Sequence, residues 1–243
     1  MTLSVVCDGR PLQPGFKAHL ERGIGRYAKN LLLAMAHLAE PPELELLVQN
    51  NLPDPGLLNA LPRLATGYAP AWLPIGKRLI SHHGLVRRAL AGSWQQGRVV
   101  HFISHLDAPS RVGPKTVITV HDLIAQKLAK LYGQGKSGAR FRLERWLETR
   151  CLYGAAAIIA VSQCSKHDLV EMYGIPDERI RVIHEAADPN LQPVEDAGMR
   201  RAVMERHGLT EGHPFFLYLG GIDQRKDLGT LLEALSDLKA RGL

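Results

Sequence analysis

Only three cysteines, Cys7, Cys151 and Cys164, occur in 243 residues, and no two of them form a C-x-x-C pair. Neither a disulfide framework nor a structural zinc site is expected from that count and spacing, and the three read as core or near-core thiols in or beside apolar segments. Aromatic residues are also scarce, at 6%. The 30 Lys and Arg residues outnumber the 24 Asp and Glu, for a net charge of +6, but they are spread rather than blocked. A nucleic-acid binder needs clustered cations interleaved with stacking rings, so no nucleic-acid partner is expected. No run approaches the roughly 20 apolar residues needed to cross a bilayer. The opening "MTLSVVCDGR" has no charged leader backed by an apolar stretch, so a cytoplasmic location is expected, with contact at the inner face of a membrane as an extension of it.

What is present is a hydrophobic content of 45%, enough over this length to bury the core of one large domain, or of one domain and a piece of another. Short apolar or β-branched runs alternate with longer helical ones, the pattern of a parallel sheet covered by helices. Strands are predicted over Ser4–Cys7, Leu44–Gln49, Val99–Ile103, Thr116–Val120, Ala157–Val161, Ile180–Ile183 and Phe215–Leu219. Helices are predicted over Ile24–Leu38, Lys77–Ala91, Gly138–Tyr153, Ser165–Met172, Gly198–Arg206 and Leu228–Lys239. The fold class is therefore α/β, with a doubly wound, mostly parallel, Rossmann-like sheet in residues 1–191. After the linker "LQPVEDAG", residues 192–243 read as the first elements of a second α/β domain with most of its sheet missing. One strand and two helices cannot bury a core of their own, so the chain reads as part of something longer.

Two basic concentrations stand out, "GKRLISHHGLVRRAL" and "RFRLERWLETR". In the first, Leu79, Ile80, Val86, Ala89 and Leu90 can share one helix face, with Lys77, Arg78, Arg87 and Arg88 around it. A solvated helix is the default, and a surface meeting anionic lipid headgroups is the sharper alternative.

The stretch "ERGIGRYAKNLL" carries Gly23, Gly25 and Ala28 in a G-x-G-x-x-A spacing. A dinucleotide turn requires the first glycine to follow a strand at once and an acid to end the second strand. Here a long polar loop separates Cys7 from Gly23, and the second strand candidate ends in Gln49, Asn50 and Asn51, so the NAD reading fails on context. Two readings remain: backbone N–H groups at a helix N-terminus that meet a phosphate, or a flexible loop easing entry into the helix.

In doubly wound sheets ligands sit beyond the carboxyl ends of the strands. The residues found there are Ser104 and His105, then His121 and Asp122, then Ser162, then His184, Glu185 and Asp188, and last Gly220, Gly221, Arg225 and Lys226. Titratable groups thus gather at one edge.

The ordered motifs "GIGRYAKNLL", "VVHFISH", "KTVITVHDLI", "AAAIIAVSQCSKHDLVEMYGIPDERIRVIHEAAD" and "FFLYLGGIDQRKDLGTLLEAL" resemble the retaining, nucleotide-sugar-dependent glycosyltransferases of family four, which have the two-domain GT-B fold. The resemblance implies that residues 1–191 form the acceptor domain and that residues 192–243 begin the donor-binding domain. It implies that Gly23 and Gly25 approach the donor phosphates through their backbone, and that His121 faces the transferred sugar as the catalytic histidine. Arg225 and Lys226 would neutralise the departing diphosphate, as a metal-free transferase requires. Ser104, His105, Asp122, Ser162 and Glu185 are candidate cleft or acceptor residues. No cofactor or metal is implied beyond the donor itself, such as a GDP- or UDP-hexose, and the acceptor would be a saccharide or a lipid-linked hydroxyl in polysaccharide or glycolipid assembly. The sequence departs from the commoner pattern at Gly221, where an arginine usually stands, and it ends before the family's two donor-binding glutamates. These residues are therefore not expected to transfer sugar alone. A non-catalytic sugar-nucleotide or phosphosugar binding module is the competing function. Glycoside hydrolysis needs two facing carboxylates, which Glu185 and Asp188 do not convincingly make.

Overall fold

Strand β1, Ser4–Asp8, reads SVVCD and is buried along nearly its whole length. Its alternate residues feed two separate apolar clusters: Val5 and Cys7 pack with Leu32, Leu46 and Ile103, whereas Val6 packs with Phe102, Ile118 and Ile158. Successive side chains on a strand point to opposite faces, so this division places a core on each side of the sheet. The computed structural model describes residues 2–17, 20, 23–57, 59–69, 80–128, 139–188 and 191–242.

Helix α1 spans Gly23–Ala36, strand β2 Glu43–Gln49 and strand β3 Arg63–Thr66. A wide π-helical turn, Ile80–Leu85, leads into α2, Val86–Gln95. Strand β4 follows at Val99–Phe102, β5 at Thr116–Val120, and a short α3 at Ile124–Lys127. Helix α4 is Ala139–Gly154, β6 is Ala157–Ala160, α5 is Gln163–Tyr173, and β7 is Ile180–Val182. The seven strands form one sheet in the order β3-β2-β1-β4-β5-β6-β7, every pair parallel. The chain reverses its direction of travel across the sheet between β1 and β4, the doubly wound arrangement whose crevice holds ligands. The α/β, Rossmann-like class expected from the sequence is present.

The chain divides into two compact units, Met1–Asp188 and Pro189–Leu243. The second contains α6, Ala197–Arg206, and α7, Leu228–Ala240, joined through a 3-10 turn at Gln224–Lys226. Neither helix contains a buried residue.

Four expectations need correction. Phe215–Leu219 is not a strand. The run is apolar enough, but a strand exists only where a neighbour takes its N–H and C=O groups, and none pairs with it among the described residues; Phe216 and Leu219 lie exposed. Strand β3 was missed, because its RLAT sequence is short and opens on an arginine that the sheet edge tolerates through an ion pair with Asp54. On the basic helix, Val86 and Leu90 are buried as expected, but Ile80 is exposed, since the turn before α2 widens and rotates it away. Lys77, Arg78 and Leu79 lie outside the described residues, as does Gly138. Cys7 and Cys151 are buried, whereas Cys164 is exposed in the first turn of α5.

Burial pushes both inner thiols up to about 12, so they are inert packing groups. The same burial drives His101 and His105 down to about 4. His101 is held neutral beside Thr119, with Nε2 2.9 Å from Oγ1. Its folded value lies below the ordinary unfolded value of about 6.5, so its contribution to stability is complete above that pH and is lost as pH falls toward 4. We expect the urea midpoint to drop across that window. His101→Gln should remove roughly 1.4 kcal/mol per pH unit from the slope, and an unchanged slope would show that His101 titrates normally.

Candidate active site

Strand β5 ends at Val120 and delivers His121 to the carboxyl edge of the sheet, where its side chain is 17% exposed. Three elements hold the ring. Nε2 lies 3.0 Å from the carbonyl of Ile103, just past β4. Nδ1 lies 2.9 Å from Oε1 of Glu185, just past β7. Tyr27, from α1, meets the ring edge-on at 4.9 Å and 90°. Both ring nitrogens face acceptors, so the two hydrogen bonds coexist only when the ring is protonated, and a neutral ring keeps one of them. A histidine fixed at three points yet still reached by solvent can hold or pass a proton without losing its orientation.

Tyr27 falls within the helix expected over Ile24–Leu38, but the sequence did not single it out. Burial raises its own pKa, an effect that the nearby Thr119, inside β5, partly offsets. Tyr27 therefore ties the helix that opens with the glycine motif to the strand that carries His121. Only the tyrosine's helical register was legible in advance, since the partner residues lie far along the chain.

The two glycines lie in the first turn of α1. Gly23 begins α1 and is exposed; Gly25 is buried. A Cβ on Gly23 would meet nothing within 4 Å among the described residues, so their packing does not demand glycine there. A helix N-terminus suits an anion approaching its first N–H groups.

The other expected residues divide into supports and site groups. Ser104 is buried, and its Oγ accepts from Leu106 N at 3.3 Å, capping the 3-10 turn His105–Asp107. Ser162 caps α5 by accepting from Ser165 N at 3.1 Å, and Ser165 Oγ in turn donates to the carbonyl of His121 at 3.0 Å. Asp122 accepts from Ile124 N at 3.1 Å, at the entry to α3. His105 is buried, and both of its ring nitrogens lack a hydrogen-bond partner among the described residues. Glu185, half-exposed, is the residue that the structure brings to His121. His184 instead points Nδ1 at the Val161 carbonyl, 3.2 Å away.

At the β1–β4 switch point lies a buried charge cluster. Asp8 Oδ1 and Oδ2 each accept from Arg10, through Nε and Nη2 at 2.7 Å, and Nη2 also donates to the Asp107 carbonyl at 2.6 Å. Lys17, at φ +51, bonds the Asp107 carboxylate and donates to the Leu106 carbonyl. Arg10 and Asp8 are essentially inaccessible, and neither was recognised from the sequence as more than part of a polar loop.

In the second unit, Asp223 Oδ1 accepts from Arg225 N at 3.0 Å and sits 3.5 Å from its Nε. Asp227, at φ +47, ends the turn and starts α7, so Arg225 and Lys226 are presented on a tightly defined corner.

Comparison with known proteins places this geometry. Over 143 residues the chain is 24% identical to alpha-maltose-1-phosphate synthase of Mycolicibacterium smegmatis (strain ATCC 700084 / mc(2)155), an alignment covering 58% of this chain and 35% of that protein. The chain thus spans about a third of that relative's length. Residues 22–191 match the family model described as Glycosyltransferase Family 4. That match takes in α1 with its glycines, the edge carrying His121 and the Glu185 that holds it, and the chain belongs to Glycosyltransferase Family 4.

Proposed function

We propose that this chain carries the acceptor side of a retaining hexosyltransferase, which moves a sugar from a nucleotide-activated donor such as a GDP- or UDP-hexose to a hydroxyl of a saccharide or lipid-linked acceptor. The observation that carries the reading is His121, held at the sheet edge by Ile103, Glu185 and Tyr27. Residues 1–191 act as the acceptor domain in this reading, and residues 192–243 open the donor domain. The open N-terminus of α1 takes a donor phosphate at Gly23 and Gly25. Arg225 and Lys226 meet the diphosphate as it leaves, because charge developing on the leaving group must be balanced by fixed cations where no metal does so. His121 supports the reacting sugar by hydrogen bonding. The bond from the donor's anomeric carbon breaks with its electron pair going to the diphosphate oxygen, a new bond forms to the acceptor oxygen, and the acceptor's proton passes to the departing diphosphate.

The test is made on the intact protein, with the product's anomeric configuration read by NMR. Replacing both Arg225 and Lys226 with alanine should weaken binding of the nucleoside diphosphate product by roughly tenfold or more, since hydrogen bonds to charged groups are each worth about 1.5–3 kcal/mol. Calorimetric titration measures this directly. Unchanged product affinity would remove both residues from the site. Tight donor binding without turnover would favour the non-catalytic module, and inversion of configuration would refute the retaining assignment.

A further inference from the structure

The excess positive charge of this protein is not evenly distributed. Between Pro55 and His121 there are eight Lys and Arg residues and a single acid, Asp107. Eight less one leaves +7, where the whole chain carries +6. Asp107 is fully buried and engaged by Arg10 and Lys17, so it does not neutralise the surface. Two of the cations are answered from outside the segment, Arg63 by Asp54 and Arg98 by Glu45. Among the described residues, the exposed Arg87, Arg88 and Arg111 form no ion pair.

Two of those arginines open onto a groove. It lies between α2 and the chain that enters β5, has a volume of about 420 Å³, and is lined by the polar His83, Arg87 and Arg88 and by the apolar Trp94, Val112 and Pro114. The walls are fixed. Trp94 Nε1 donates to Thr116 Oγ1 at 3.0 Å, which holds the indole plane. A Cβ on Gly113 would fall 2.4 Å from that ring, so only glycine lets the facing chain pass so close. His83 Nδ1 accepts from Ser110 N at 2.9 Å, which anchors the loop to the turn before α2 and leaves Nε2 to carry the ring's proton.

We propose that this groove is a phosphate-binding site, separate from the His121 site. A phosphate ester satisfies both halves of it. The anionic oxygens take the guanidinium donors of Arg87 and Arg88, whose forked geometry suits phosphate and whose charge no carboxylate among the described residues cancels. The carbon body attached to the ester lies along Trp94, Val112 and Pro114. The volume matches a small ligand or a headgroup. The phosphate arrives either on a soluble phosphorylated metabolite or on the headgroup of an anionic lipid, and the experiment separates the two.

The intact protein is titrated with sn-glycerol 3-phosphate by NMR and, in parallel, floated with vesicles of phosphatidylglycerol or of phosphatidylcholine. Binding to glycerol phosphate is expected for a soluble ligand, and binding to phosphatidylglycerol vesicles alone for a headgroup. In either case the double variant Arg87→Glu/Arg88→Glu should lose tenfold or more of the affinity, with Arg87→Lys/Arg88→Lys keeping part of it and added salt weakening both. Both positions are exposed, so the variant should fold, as its circular dichroism will show. Transfer to a soluble acceptor should proceed at the wild-type rate in the Glu variant, which keeps this test independent of the role given to His121. Absence of binding to every phosphate probe, undiminished binding by the Glu variant, or loss of transfer to the soluble acceptor would each overturn the proposal.

Discussion

His121→Ala in the intact transferase is expected to lower turnover by about a hundredfold or more, the scale on which a positioned polar or proton-transfer group contributes, while the far-ultraviolet circular dichroism stays unchanged. The second half of that expectation follows from the site's construction. The ring is partly exposed and contributes two hydrogen bonds, to Ile103 and Glu185, neither of which belongs to a strand ladder. Its loss leaves the half-exposed carboxylate of Glu185 in solvent rather than buried, so little stability depends on it. Glu185→Gln separates holding the ring from reacting through it. The amide can still accept a hydrogen bond from Nδ1, so turnover should fall far less than in His121→Ala while the fold remains. Turnover of His121→Ala within a few fold of wild type would assign the histidine to structure.

A larger effect on stability is expected at a position with no direct part in transfer. Arg10→Met should destabilise the protein by about 3–5 kcal/mol at neutral pH, the usual cost of leaving one member of a buried ion pair alone. Arg10 holds both oxygens of Asp8 and the carbonyl of Asp107, and no solvent reaches the pair. Burial already pushes the Asp8 carboxyl above its ordinary range, against the pull of the guanidinium. With that pull gone, the carboxyl takes up a proton more readily, so the penalty should shrink as pH is lowered. The double variant Asp8→Asn/Arg10→Met should recover part of the loss at neutral pH, because no charge is then stranded. Urea unfolding of the wild type, the single variant and the double variant measures all three. A single variant within 1 kcal/mol of wild type would show that water reaches Asp8 and that the pair is not a structural clamp.

This clamp also bears on function. It lies at the switch point between β1 and β4, and it fastens the loop after β1 to the turn after β4. The same turn follows Ile103, whose carbonyl receives His121. Stability at the switch point and orientation of the histidine are therefore linked through one short stretch of backbone.

The local pattern of the chain determined most of the architecture. Six of the seven strands were legible because fully buried parallel strands read as continuous apolar runs, and the helices because their apolar residues repeat at helical spacing. The rule that sites lie past the carboxyl ends of parallel strands then picked out His121 and Glu185 one at a time. What it could not provide was their pairing across 64 positions, since β5 and β7 become near neighbours only when β6 slots between them. The partnership of Asp8 and Arg10 was close enough in sequence to suspect, yet their burial depends on Asp107, nearly a hundred residues away, closing over them. Tyr27 looked like one more helix-face residue until α1 was laid against β5. The run Phe215–Leu219 shows the opposite failure: its composition suits a strand, but a strand is a relation between two segments, and composition describes only one of them. Periodicity and turn residues are properties of neighbouring positions and survive in the sequence, whereas hydrogen-bond partners, burial of charge and the meeting of strand ends are set by which distant segments the fold brings together.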